Sequence, residues 1–294
     1  MPVEVGEVRL VAQTEDVLGE VPLWDADRSA LTWIDVLKPG FHRLDISTGE
    51  TKSATPPEKL GSYALCRDGN VLVSGRNGMA IWNPETGSLE RLSHPEADRP
   101  GNILNDGRTD QRGRFLVASM DKMLSGPKGR LWQVSAEGGV ALMQDEDIYL
   151  PNSICWSPDG GTFYLGDSHT NLIFAYDYDL DTGRISNRRL FADTKDLPGD
   201  VDGSSVDSQG YLWNTRYDGG CLVRFSPDGE VDQIIELGVT KPTHLTFGGK
   251  DLKTAYITTA RFRLPPEKLA AEPFSGGLLS MDVDVAGLPE PFYG

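Results

Sequence analysis

The stretch NSICWSPDGGTFYLGDS, residues 152–168, has the outline of strand, turn and strand. Apolar side chains fill both ends, and Pro158-Asp159-Gly160-Gly161 between them supplies the residues a tight turn requires. The same outline recurs in EVPLWDADRSALTWIDV (20–36), NDGRTDQRGRFLVASMD (105–121), DGSSVDSQGYLWNTRYD (202–218) and THLTFGGKDLKTAYITTA (243–260). A weaker copy, GSYALCRDGNVLVSGRN, occupies 61–77. A third apolar segment follows each copy, as in GFHRLDISTGE (40–50) and GCLVRFSPDGE (220–230). The copies start 41 to 50 residues apart, the spacing of four-stranded propeller blades.

Six such units fill the 294 residues, so the sequence predicts an all-β chain, a six-bladed β-propeller in one domain spanning 1–294. The alternating Val, Ile, Leu and aromatic residues argue for strands, and no amphipathic helix longer than two turns stands out. A β-sandwich has no reason to repeat at this period. The spare segment GEVRLVAQ (6–13) is expected to close the ring by pairing into the blade that ends LLSMDVDV (278–285).

Composition narrows the class of function. The formal net charge of −16 repels nucleic acid and anionic lipid, so neither is expected as a partner. No apolar run is long enough for a membrane helix. No secretion signal is apparent, and three widely spaced cysteines, Cys66, Cys155 and Cys221, suggest reduced packing residues and a cytoplasmic location.

Blade symmetry turns the repeat into a site prediction, because equivalent positions lie at equal height around the channel. Four residues before the first-strand anchors Trp24, Leu65, Thr109, Trp156, Val206 and Phe247 stand Glu20, Gly61, Asn105, Asn152, Asp202 and Thr243. This ring is rich in oxygen and has neither histidine nor cysteine. Glu20, Asn152 and Asp202 supply three oxygen donors suited to a hard divalent cation. Ca²⁺ is favoured by ligand type, with Mn²⁺, Mg²⁺, Zn²⁺ or Fe²⁺ as alternatives. Gly61 is expected to leave one side of the ring open for a ligand. Asp207 begins a turn, and Asp200 belongs to the rim. DYDLDTG (177–183) lacks the remaining calcium-loop residues and reads as a hairpin turn. Trp24, Trp156 and Trp213 read as core, and His244 as a packing residue. Ser168 lacks the glycine pattern of a nucleophile elbow.

LGEVPLW, NDGRTDQRGRFLVASM, PNSICWSPDGGTFYLGDS and DGSSVDSQGYLW together resemble the senescence marker protein (regucalcin), gluconolactonase and luciferin-regenerating enzyme family, over about residues 15–285. The resemblance implies a six-bladed propeller and metal-dependent hydrolysis of lactones, often sugar lactones. It implies that Glu20, Asn152 and Asp202 hold the metal, that Asp202 is also the general base, and that Asn105 lies near metal and substrate. Two positions depart from the family pattern. Ile103 stands where an Arg contacts substrate hydroxyls, which leaves Arg99 as the nearest candidate. Met123 stands where a Glu is expected, which leaves Asp121. The substrate-binding candidates are therefore Asn105, Arg99 and Asp121, and the pocket is less plainly built for a polyhydroxylated ring. Hydrolysis of other esters or phosphotriesters, or metal binding without catalysis, are the alternative functions.

Overall fold

The computed structural model describes residues 2–294 and contains six four-stranded antiparallel sheets. Blade 1 comprises Gly19–Asp25, Ala30–Asp35, Gly40–Asp45 and Thr51–Ala54. Blades 2 to 5 repeat this simple up-and-down order, with first strands Leu60–Leu65, Asn102–Thr109, Pro151–Trp156 and Asp200–Val206. Blade 6 takes Pro242–Gly248, Thr254–Thr259 and Gly277–Asp282 from the end of the chain and Arg9–Gln13 from its beginning. The N-terminal strand pairs antiparallel with Gly277–Asp282, so the last blade is a joint product of both ends. Each first strand touches the first strand of the next blade, and the sixth touches the first, so the six inner strands form a closed ring.

There is no single hydrophobic core. Six apolar clusters lie one at each blade interface. The cluster between blades 6 and 1, for example, joins Trp24, Leu31, Trp33 and Leu44 to Tyr256 and Leu278. Trp24, Trp156 and Trp213 are all buried in such wedges. Strands buried on both faces lose the polar alternation of a half-buried strand, which is why ALTWID and TFYLGD are almost entirely apolar until the final Asp. The outermost strands, such as Leu89–Ser93 and Val140–Gln144, carry the exposed residues.

The lower end of the channel is closed by the C-terminal tail. Gly287 bridges to Asp207, Tyr293 N donates to the Leu65 carbonyl and Gly294 N to that of Gly113, so the tail crosses from blade 5 to blades 2 and 3. Glu290 enters the channel and meets Arg108 with Oε2 2.6 Å from Nη2. The Asp177–Gly183 segment joins two strands of blade 4, with Asp179 Oδ1 accepting from the backbone N–H of Asp181 and Thr182. The one helix among the described residues, Pro266–Ala271, sits in a loop of blade 6. No helix among the described residues is long and apolar enough to cross a membrane. The three cysteines form no disulfide, and Cys155 and Cys221 are buried.

Candidate active site

Every inner strand contains a β-bulge, and all six fall at or beside the ring position. The register slips between Glu20 and Leu23, Leu60 and Ser62, Leu104 and Gly107, Asn152 and Cys155, Val201 and Ser204, and Pro242 and His244. A bulge adds a residue and re-aims the side chains around it. In blades 1 and 4 the residue after the ring position has a left-handed backbone, Val21 at φ 50° and Ser153 at φ 61°. For a β-branched valine this conformation is costly, and such strain collects at functional sites.

The bulges bring three carboxylates into mutual electrostatic reach: Glu20 from blade 1, Asp106 from blade 3 and Asp202 from blade 5. Burial holds the Glu20 carboxyl well above its ordinary range, and repulsion from Asp106 adds to it. Burial does the same to Asp202, followed by repulsion from Glu20, Asp106 and Asp200. Asp106 is pushed up to about 6 by burial, against the pull of the Ile154 N–H and Arg108. Carboxylates in this position favour either a proton or a cation between them.

The amides at the same level have their NH₂ groups engaged. Asn152 Nδ2 donates to Ser168 Oγ at 2.7 Å, and Asn105 Nδ2 to the Pro151 carbonyl at 2.9 Å. Their Oδ1 atoms make no hydrogen bond to protein among the described residues. Ser168 therefore supports an amide and is not set up as a nucleophile. No three His, Cys, Asp or Glu side chains among the described residues are close enough to hold an ion by themselves, so a cation here would also draw on amide oxygen. Glu20, Asp202 and Asn152 offer an all-oxygen donor set with surplus negative charge, which fits a hard divalent cation.

A belt of cross-blade hydrogen bonds runs around this ring. Ser153 Oγ donates to the Asp202 carbonyl at 2.6 Å, Thr215 Oγ1 to the Thr243 carbonyl at 2.6 Å, and Thr243 Oγ1 to the Gly19 carbonyl at 2.5 Å. With the Asn105–Pro151 bond, the belt links blades 3, 4, 5, 6 and 1. Asn214 Nδ2 also donates to the Asp202 carbonyl, at 2.9 Å. Arg216 is fully buried and has no carboxylate partner among the described residues; its donors go to Thr194, Pro198, Gly199 and Asn214. It fastens the loop that leads into Asp200 and Asp202.

Several expectations need correction. Gly61 opens nothing: a Cβ there would lie 2.1 Å from the Leu104 carbonyl oxygen, so the glycine admits the backbone of blade 3. Asp121 is spent on its own turn, accepting from the Met123 and Ser125 backbone N–H groups and from Ser125 Oγ, which holds it down to about 2. Asp35 and Asp167, its equivalents in blades 1 and 4, cap their loops in the same way. Arg99 lies in the loop before the blade 3 inner strand, but its guanidinium is paired with Asp145 and Glu146 and bonded to the Lys128 carbonyl. Neither residue is free to grip a ligand in this arrangement. Asp200 is exposed at the rim, where Oδ1 accepts from Asn171 Nδ2. Asp207 is far more than a turn residue: it is fully buried and paired with Arg224 at 2.8 Å.

His244 packs its ring over Gly203, where a Cβ would come within 2.1 Å. Its Nδ1 bonds the Leu245 carbonyl at 3.0 Å, which requires the proton on Nδ1. Burial, reinforced by Arg108, lowers its pKa to about 3, so the ring is neutral and its 4.0 Å approach to Asp106 is not an ion pair. His244 is thus a packing residue, as the sequence suggests, whereas Asp106 escapes a reading that stops at the ring register. The next register, Val21, Ser62, Asp106, Ser153, Gly203 and His244, brings it into view.

Residues 18–261 match the model of the SMP-30/Gluconolactonase/LRE-like region. The chain is 33% identical to a 6-deoxy-6-sulfogluconolactonase of Pseudomonas putida, over 97% of this chain and 98% of that one. It is 30% identical to the pentonolactonase XacC of Haloferax volcanii, over 96% and 97%. The crystal structure of a regucalcin from Agrobacterium tumefaciens, described as a calcium-binding protein, superposes with a TM-score of 0.93 at 29% identity, covering 98% of each chain. Blade count, strand order and these likenesses agree, and the chain belongs to the SMP-30/gluconolactonase/LRE-like family.

Proposed function

We propose that this chain opens a lactone ring by hydrolysis, with one divalent cation held by Glu20, Asn152 and Asp202. The observation that carries the reading is the convergence of buried, mutually repelling carboxylates with unpartnered amide oxygens at the bulges of the inner ring. The family's named lactonases supply the reaction class. The cation, Ca²⁺ by preference of donor type, would act as a Lewis acid toward the lactone carbonyl. Mn²⁺, Mg²⁺, Zn²⁺ and Fe²⁺ are the alternatives.

The protein's own groups do the rest. Asp202 accepts the proton of the attacking water; its burial favours that role, while a bound cation lowers its basicity. Asn105 keeps one N–H and its carbonyl oxygen for substrate, because Pro151 takes the other N–H. The Ser153, Asn214 and Thr243 bonds keep the donors in register, so little reorganisation is needed as charge develops. On the blade 3 side, Ile103 and the exposed Met123 offer no charge to a ring hydroxyl. That favours a small or sparsely hydroxylated lactone, and it is the observation that keeps other esters and phosphotriesters in view.

The test is a panel of sugar and aliphatic lactones, esters and phosphotriesters. The panel is run on chelator-stripped protein and again after separate addition of Ca²⁺, Mn²⁺, Mg²⁺, Zn²⁺ and Fe²⁺. Turnover of a lactone restored by a cation is expected. Turnover confined to another ester class, or none on any lactone with any cation, would sink the reading.

A further inference from the structure

The bulge in blade 4 leaves a backbone group without its ladder partner. Pairing runs from Asn152 opposite Gly166 to Cys155 opposite Tyr164, so Ser153 and Ile154 together face one residue. Ser153 is turned to φ 61°, and Ile154, fully buried, must place its N–H elsewhere. It donates to Oδ2 of Asp106, 3.0 Å away on the neighbouring blade. Asp106 is only 4% exposed, and its other oxygen, Oδ1, lies 4.0 Å from Nε2 of neutral His244. The same two blades are joined again one residue earlier on the blade 3 strand and three residues earlier on the blade 4 strand, where Asn105 donates to the Pro151 carbonyl. Pro151 and Ile154 flank Asn152 and Ser153. Asn152 thus sits on a strained bulge clamped on both sides by consecutive residues of blade 3.

We infer that Asp106 is a positioning residue for the cation site: by holding the Ile154 N–H it fixes the blade 4 bulge and with it the direction of Asn152. The inference rests on the proposed role of Asn152 as a ligand. Its structural half, the clamp itself, stands apart from any activity. Outer groups that orient a ligand are commonly worth 10- to 100-fold in metal affinity.

The experiment compares Asp106→Asn with Asp106→Ala. Both remove the negative charge, but only the asparagine keeps an oxygen able to accept from Ile154. Three quantities are read: exchange of the Ile154 amide by NMR in cation-free protein, Ca²⁺ affinity by calorimetry, and kcat and KM on the best lactone. Slow Ile154 exchange in wild type and Asp106→Asn is expected, with at least a tenfold increase in Asp106→Ala while blade 2 amides stay protected. Ca²⁺ affinity should fall a further tenfold or more from Asp106→Asn to Asp106→Ala. Asn and Ala variants that are indistinguishable in exchange and in affinity would overturn the inference, because Asp106 would then act through charge alone. Wild-type protein that neither binds Ca²⁺ nor opens a lactone would refute the functional reading. The exchange comparison, made without cation, would still decide the clamp.

Discussion

Asp207 and Asp202 lie five residues apart, and the structure assigns them opposite consequences when altered. Asp207 is fully buried and accepts five hydrogen bonds: Arg224 Nε at 3.1 Å and Nη2 at 2.8 Å, Trp213 Nε1 at 2.9 Å, and the backbone N–H of Gln209 at 2.9 Å and Tyr211 at 3.0 Å. Arg224 is equally buried, stacks 3.6 Å over the Tyr211 ring and keeps only Asp232 as another carboxylate. Asp207→Ala leaves that guanidinium with Asp232 as its one carboxylate and takes the acceptor from Trp213 Nε1 and from the Gln209 and Tyr211 N–H groups, and breaking one partner of a buried pair costs about 3–5 kcal/mol. With ~2.1 cal/mol/K of unfolding entropy per residue over 294 residues, the entropy is about 0.6 kcal/mol/K, so Tm should fall by roughly 5–8 °C. The assay is differential scanning calorimetry in chelator, with turnover measured at 25 °C, well below either transition. Asp207→Ala should keep most of its turnover there. Asp202→Ala should lose turnover with Tm not lowered, because a buried and repelled carboxylate has been removed. A Tm for Asp207→Ala within about 2 °C of wild type, or an Asp202→Ala protein with near-full turnover, would refute this division.

Other consequences are sharp enough to measure. Gly61→Ala should destabilise by about 1–3 kcal/mol, since the added methyl meets a backbone carbonyl that cannot swing away; a silent thermal melt would restore the idea of an open side. Asp106 holds its proton to about 6 when folded against about 4 unfolded, so this carboxyl's stabilising contribution is complete below pH 4 and lost as pH rises through 6. In chelator, Asp106→Asn should therefore match wild type at pH 4 and gain up to about 3 kcal/mol by pH 7–8, and a pH-independent difference in Tm would contradict it. Saturating Ca²⁺, at about 100 times its Kd, should add about 2.7 kcal/mol, roughly 4 °C. The increment should be larger at pH 8 than at pH 5, where protons compete for Glu20 and Asp202; an increment that grows toward acid would argue against carboxylate ligands.

Much of the candidate site's placement is legible in the sequence because a propeller converts repeat register into position. Glu20, Asn105, Asn152 and Asp202 align by counting four residues back from an apolar anchor, and each lies in an inner strand at its bulge. The bulges themselves leave no such trace. Val21 and Ser153 are not residues that announce a left-handed backbone, and only the pairing on the second strand reveals the slip. The role of Gly61 is not legible locally because a glycine's reason lies in what approaches it, here a carbonyl 43 residues away in the chain, Leu104 from Gly61. Arg99 and Asp121 have the right chemistry and the right blade, but their partners, Asp145, Glu146 and Ser125, belong to loops whose conformation no spacing rule predicts. The buried Arg108–Glu290 pair joins the middle of the chain to its tail, a contact that nothing local in GLPEPFYG suggests.

The central claim is that Glu20, Asn152 and Asp202, from three different blades, share one cation. Diffraction from crystals grown with Ca²⁺ tests it most directly. The account predicts one ion at the channel mouth with oxygens of all three side chains at about 2.3–2.6 Å. An ion bound elsewhere, or none at this ring in a protein whose turnover depends on Ca²⁺, would contradict it.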